Sequence, residues 1–202
     1  MLFARALGFL SRLSLGEDVV LVQQTKEQWE RQFADGTWDR LQEGQPNTAE
    51  LARLISEYAD MRGTPVRVLD VGCGNGGLAK LIATEPGIDY TGIDISETAI
   101  TAARMVAPKA RFIAANAEQP PSDIGTFDVF VFNEVLYYMN PDRVLLRYHI
   151  HAKKDARIFI SMLRFWRTPF IFHRIRRHLR IDTRLSVVDR SHRWDIVSGH
   201  FL

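Results

Sequence analysis

Apolar and polar positions keep a helical period over roughly the first 62 residues and then change character. Leu2, Phe3, Ala6, Leu10 and Leu13 fall on one helical face. Over Glu27–Leu41, Trp29, Phe33, Trp38 and Leu41 recur at helix-like spacing, with Gly36 as a break. A further helix is expected over Thr48–Met61, with Asn47 or Thr48 as its cap and Glu50 in its first turn; Arg62-Gly63-Thr64-Pro65 ends it. Beyond Pro65, short apolar runs alternate with amphipathic stretches. Strands are expected at Val66–Val71, Tyr90–Asp94, Arg111–Ala115, Phe127–Phe132 and Ala156–Met162. Helices are expected at Gly77–Thr84, Glu97–Val106 and Pro141–His151, the last capped by Asn140 with Pro141 at its first position. Leu185–Asp189 and Trp194–Val197 read as a closing antiparallel pair.

This alternation predicts an α/β fold: a doubly wound, mainly parallel sheet of seven strands, with helices on both faces and an antiparallel hairpin at one edge. The 202 residues suit one domain, 63–202, preceded by a helical extension, 1–62, that serves as a lid. Hydrophobic residues make up 46% and charged residues 25%, as in ordinary globular chains. A net charge of +2 is too small to argue for a nucleic-acid partner. The one cysteine, Cys73, excludes an internal disulfide or a multi-thiolate metal site, and a reducing, cytoplasmic setting is the simplest reading. No apolar run approaches a membrane span. Arg5 and Arg12 interrupt any secretory apolar region. For this first stretch, a helix packed on the domain, a membrane-surface helix and a transit-like segment all stay open.

The chemistry starts at Leu69-Asp70-Val71-Gly72-Cys73-Gly74-Asn75-Gly76-Gly77, between an expected strand and an expected helix. Glycines there let a ligand approach the backbone. Gly72, Gly74 and Gly77 satisfy G-x-G-x-x-G, which alone is a weak signal for a dinucleotide. Asp70 argues against one, because a carboxylate would face the pyrophosphate. It favours a ligand bearing ammonium and sulfonium charges. Asp94, at the end of the second strand, suits the two hydroxyls of a ribose in either case.

These residues, with Gly92-Ile93-Asp94-Ile95-Ser96, Ala114-Ala115-Asn116-Ala117-Glu118 and Phe127–Tyr138, resemble class I S-adenosylmethionine-dependent methyltransferases over roughly residues 65–162. The resemblance implies a Rossmann-like sheet and S-adenosylmethionine as cofactor. It implies that Asp70 orients the methionine amino group and that Gly72, Gly74 and Gly76 pass close to the cofactor. Asp94 would hold the ribose, Ile95 would lie against the adenine, and Asn116 and Ala117 would meet its edge. Asn133 would line the methionine end. Many relatives carry aspartate where Asn116 stands, so adenine recognition differs in detail here. Cys73, common in this loop, reads as a small filler rather than a nucleophile.

Other chemistries fit less well. Asn133-Glu134-Val135-Leu136-Tyr137 lacks the prolines of enzymes that methylate exocyclic base amines. Cytosine C5 methylation needs a cysteine nucleophile, and Cys73 is committed to the loop. No tyrosine has a lysine four residues later, against a short-chain dehydrogenase. His149 and His151 diverge on a helix, so no metal is expected.

Methyl transfer relies mainly on positioning, and a base helps only when the acceptor loses a proton. Glu134 and Tyr138 are the candidate catalytic residues. Glu134 reads as a base or an ammonium binder; equally, it caps the next turn while Tyr137 and Tyr138 pack. Glu134–Tyr138, with Trp29-x-x-x-Phe33 and Gly36-x-Trp38, is similar to small-molecule N- and O-methyltransferases, including nodulation-type sugar N-methyltransferases. Arg164, Arg167, Arg174, Arg176, Arg177 and Arg180 lie in one aromatic-rich stretch without an acidic residue. It suits an anionic small-molecule acceptor, a sugar or secondary metabolite; anionic lipid, RNA and a merely solvated helix face are the alternatives. Macromolecule-directed methylation and cofactor binding without catalysis are the competing functions.

Overall fold

The computed structural model describes residues 24–39, 44–190 and 192–202. The amphipathic stretch at 1–15 and Leu41 lie outside the described residues. Two helices come first, α1 (Lys26–Ala34) and α2 (Pro46–Arg62). Then follow β1 (Val66–Val71), α3 (Ala79–Ile82), β2 (Ile88–Asp94), α4 (Glu97–Val106) and β3 (Arg111–Ala114). β4 (Phe127–Asn133), α5 (Pro141–His149), β5 (Ala152–Leu163), α6 (Thr168–Ile175), β6 (Leu179–Asp189) and β7 (His192–Phe201) complete the chain. The seven strands form one sheet in the order β3-β2-β1-β4-β5-β7-β6. β1 to β5 run parallel, while β7 pairs antiparallel with both β5 and β6. This is the doubly wound architecture with an edge hairpin that the alternation predicts.

Local chemistry explains the elements. β1 and β4 are nearly continuous apolar runs because both their faces are covered. Leu51, Ile55, Ile82, Ile100, Val129 and Val131 share one core, against α2, α3 and α4. Phe130, Phe132, Leu145, Tyr148, Ile160 and Ile171 share the other, beneath α5 and α6. Asn140 caps α5, accepting from the N–H groups of Asp142 and Arg143 at 3.1 and 3.2 Å. Thr25 and Gln28 form a capping box on α1.

Several expectations are corrected. α2 is capped by Gln45 without a side-chain bond, and Pro46 takes its first position. Asn47 and Thr48 are drawn into the core instead, and Glu50 lies beyond the first turn, paired with Arg53. The helix expected over Gly77–Thr84 shrinks to Ala79–Ile82, squeezed between the glycine loop and Pro86, which disfavours helix at Glu85. β5 and β7 extend beyond their apolar centres through exposed polar starts, and β6, at the edge of the sheet, is longer because one of its faces is polar.

Candidate functional site

From β1 the chain winds outward through β2 and β3, then returns to place β4 on the other side of β1. Strand order therefore reverses between β1 and β4, and a crevice opens at their carboxyl ends. The glycine loop sits there. The N–H groups of Gly72 and Cys73 both donate to the Ile93 carbonyl, at 2.8 and 3.0 Å, which ties the loop across the end of β2. Gly76 has φ 88°, and a Cβ there would meet the Ala103 backbone at 3.0 Å. Only glycine satisfies both that conformation and the close passage of α4.

Asp70 ends β1 almost wholly buried, at 2% exposure. The Tyr90 hydroxyl donates to one of its oxygens at 2.5 Å, and the other has no hydrogen-bond partner. Burial, helped by the nearby Asp94, pushes Asp70 up to about 7; the Tyr90 bond offsets part of this. Asp94 ends β2. It accepts from the N–H of Gly74 on one oxygen and from that of Ser96 on the other, both at 2.9 Å. Burial raises its pKa, and those N–H groups oppose the rise. Parallel pairing sets Ala114 beside Asp94, so Ile95, Asn116 and Ala117 leave the sheet next to it. Ala117 is buried, while Asn116 is exposed and turns its side-chain oxygen to the Glu118 N–H at 2.8 Å. Cys73 is buried, and its sulfur stands 2.7 Å from where a Cβ on Gly92 would lie. Burial pushes its thiol pKa up, which fits a filler and not a nucleophile.

Across the crevice, Asn133 ends β4. Its oxygen accepts from the Asn47 amide at 2.9 Å, and its own amide donates to the Thr48 hydroxyl at 3.0 Å. Asn47 also donates to the Ser161 hydroxyl at 3.0 Å and is fully buried, with its oxygen unpartnered. The first turn of α2 is thus fastened to the ends of β4 and β5. Glu134 follows with φ 58°, a strained conformation for a non-glycine residue. It does not cap the next turn. Its carboxylate accepts from the Leu163 N–H at 2.7 Å and the Tyr137 hydroxyl at 3.3 Å, bridging to the end of β5. Burial pushes it up to about 8, with those donors and Trp194 offsetting part of the rise.

Over the loop lies an aromatic cluster built on α1 and the turn after it. Trp29 is 6.3 Å from Phe33, 5.8 Å from Trp38 and 4.8 Å from Tyr138, edge-on to the last. Phe33 comes within 3.7 Å of a Cβ built on Gly74. The Glu30 carboxylate anchors the assembly on the N-terminus of α4, accepting from the Ser96 hydroxyl and the Glu97 and Thr98 N–H groups at 2.8, 2.7 and 3.1 Å. Burial works against its ionisation, but these donors hold it down at about 2.

Asp70, Cys73, Asp94, Ile95, Ala117, Asn133, Glu134 and Tyr138 therefore meet at one end of the sheet, together with Trp29 and Phe33 of α1 and Trp38 just after it. Three of the six arginines are paired with carboxylates. Arg164 makes a bidentate pair with Asp195, Arg174 pairs with Asp142, and Arg180 with Asp182. Tyr90, Glu30 and Ser161 belong to the site's framework without a sequence motif for that role, and so do Asn47 and Thr48, which the sequence offers only as helix caps. Ser161, polar within an apolar strand, was the one visible hint.

The reversal point, the glycine loop and two carboxylates on adjacent strands define a nucleoside-binding doubly wound domain. Residues 68–155 match the family described as a methyltransferase domain. Ubiquinone biosynthesis O-methyltransferase of Pseudomonas aeruginosa (strain UCBPP-PA14) is 34% identical over 138 residues, covering 62% of this chain and 57% of that one. 27-O-demethylrifamycin SV methyltransferase of Amycolatopsis mediterranei (strain S699) is 35% identical over 123 residues, covering 57% of this chain and 44% of that one. The chain thus spans about half the length of these curated relatives. The structure of N-methyltransferase NodS from Bradyrhizobium japonicum WM9, in complex with S-adenosyl-L-homocysteine, superposes with a TM-score of 0.70 at 18% identity, covering 86% of this chain and 96% of that one. The chain is thus similar over residues 68–155 to a methyltransferase domain, and its likeness to NodS shows a shared fold. Among the described residues, no helix is long and apolar enough to cross a membrane.

Proposed function

We propose that this chain binds S-adenosylmethionine across the β1–β4 crevice and methylates an N or O atom of a small-molecule acceptor that carries an anionic group. The observation that carries the cofactor reading is Asp70: a buried carboxylate with one unpartnered oxygen, beside a loop of glycines in left-handed conformations. Such an oxygen calls for a donor that is also a cation, and the methionine ammonium is one. When bound, the cofactor supplies an electrophilic methyl group on a sulfonium sulfur.

The chain's own residues do the rest. Asp94 keeps acceptor capacity beyond its two backbone donors, enough for both ribose hydroxyls. Gly72, Cys73, Gly74 and Gly76 form the floor. Ile95, Asn116 and Ala117 flank the adenine, and the outward-facing amide of Asn116 donates to its edge. Asn133, held by Asn47 and Thr48, lines the methionine end. In this reading the extension 1–62 covers the 63–202 domain, with Trp29, Phe33 and Trp38 excluding water from the reacting centre. Glu134, raised to about 8, takes the proton of the acceptor, and Tyr138 positions that acceptor against Trp29. The similarity to a ubiquinone biosynthesis O-methyltransferase and a 27-O-demethylrifamycin SV methyltransferase supports a small acceptor. The arginines after β5 support an anionic one.

Calorimetry with S-adenosylmethionine and S-adenosylhomocysteine tests this. Micromolar binding that weakens in Asp70→Ala is expected. If neither compound binds the intact chain, the reading fails.

A further inference from the structure

The two helical layers differ in surface chemistry. On the α2 side, Glu50, Arg53, Glu57, Asp60 and Arg62 mix signs, and Arg53 pairs with both Glu50 and Glu57. On the α5–α6 side, over residues 141–151 and 164–178, arginines outnumber carboxylates seven to one. That single carboxylate, Asp142, is already shared between Arg174 and His178. Among the described residues, no carboxylate pairs with Arg147, Arg167, Arg176 or Arg177.

The same layer carries large apolar side chains in solvent. Leu146 and Ile150, four apart on and just after α5, are 57% and 78% exposed. Trp166 and Phe170, four apart at the start of α6, are 66% and 62% exposed. Arg167 stacks over the Trp166 indole at 4.1 Å from its centroid. Arg176 extends the charge to a cavity of about 320 Å³ between α6 and β6, where it and Arg184 stand beside Phe172, Leu179 and Val197.

We propose that the α5–α6 face docks on an anionic phospholipid surface. Aliphatic and aromatic groups interleaved with unpaired arginines are the composition of a face that sinks shallowly into the headgroup boundary. A single-stranded nucleic acid would use flat aromatic platforms, and Leu146 and Ile150 offer no face for a base to stack on. A second copy of this chain would bring like charges together across a two-fold axis. Negatively charged headgroups answer the arginines, and the acyl boundary receives the apolar groups. The surface adjoins the methyl-transfer site: Trp166 follows Phe165, whose ring lies 5.3 Å from Tyr137. A docked molecule would thus hold its acceptor side close to the membrane.

The test is co-sedimentation of the full chain with vesicles of phosphatidylcholine alone and of phosphatidylcholine mixed equally with phosphatidylglycerol. Binding to the mixed vesicles only, weakened by salt, is expected. The double variant Trp166→Ser/Phe170→Ser should lose at least about tenfold in vesicle affinity. Met105→Ser, on the opposite layer and 81% exposed, should bind as the wild type does. Absence of binding to mixed vesicles overturns the proposal, as does a double variant that binds unchanged. Binding of a uridine oligonucleotide, or self-association, without vesicle binding overturns it too. None of these readouts depends on methyl transfer, so this proposal and the proposed activity fail separately.

Discussion

On the β1–β3 side of the reversal point, the candidate ribose-binding carboxylate Asp94 is held by backbone N–H groups of the adjoining loops. On the β4–β7 side, Asp195 is held by the side chains of Arg164 and Ser186 and Asn133 by those of Asn47 and Thr48, while Glu134 takes one backbone N–H, from Leu163, far along the chain. Backbone donors are fixed by strand geometry and serve any chain that adopts the turn. Side-chain donors are chosen one at a time. The difference teaches that one half of the site is built to a common pattern while the other is free to suit a particular acceptor.

The sharpest way to break that comparison is Glu134→Gln. If the variable half performs the proton transfer, the turnover rate falls by roughly 10²–10⁴ while cofactor affinity, measured by calorimetry, stays within about twofold. The wild-type rate should also climb with pH until about 8, where Glu134 becomes ionised. Equal losses of rate and cofactor affinity would join the two halves. Next in size is Asp94→Ala. Losing charge-assisted bonds to two ribose hydroxyls should weaken cofactor binding about 100-fold, near 3 kcal/mol.

The pH dependence of cofactor affinity is a gentler probe. Asp70 is protonated below about 7 in the free protein, against an ordinary value near 3.8. Binding an ammonium requires its ionised form, so affinity should rise as pH rises toward 7, by up to about tenfold per unit, and then level off. The same raised value costs the ligand-free chain stability progressively between about pH 4 and 7 and by a constant amount above. A flat affinity profile from pH 5 to 8 would remove Asp70 from ammonium binding.

Glu30→Ala concerns the cover rather than either half. It should weaken cofactor binding roughly two- to fivefold, as expected for a lost anion at a helix N-terminus, and speed amide exchange in α1. Because Glu30 is depressed to about 2, its contribution is complete above its ordinary value of 4.5 and fades only as pH falls toward 2. Smallest of all, Arg174→Ala should cost under about 1 kcal/mol in a thermal melt, since its pair with Asp142 is partly solvated and His178 remains.

The same contrast decides what was legible in the chain. β1, its loop, α4 and β4 were readable because period, cap and glycine signals lie within a few residues of one another. Asn47 was read as a cap because it stands at a helix start. Its partners, Asn133 and Ser161, lie 86 and 114 positions away, and no local signal names them. Glu134 stood in a recognisable place, but its bond to Leu163 depends on how far β5 runs, and that strand's polar start concealed its length. Glu30 was invisible for a similar reason. A carboxylate on one helix that caps another leaves no spacing in the sequence.

The close approach of Cys73 to Gly92 gives the molecule a built-in clock. The thiol fills a notch in which even one further carbon has no room, and burial keeps it protonated. A thiol reagent in solution can therefore attack it only when the loop swings off β2. The labelling rate at saturating reagent counts those excursions, and any ligand that needs the loop in place should slow the count in proportion to its occupancy.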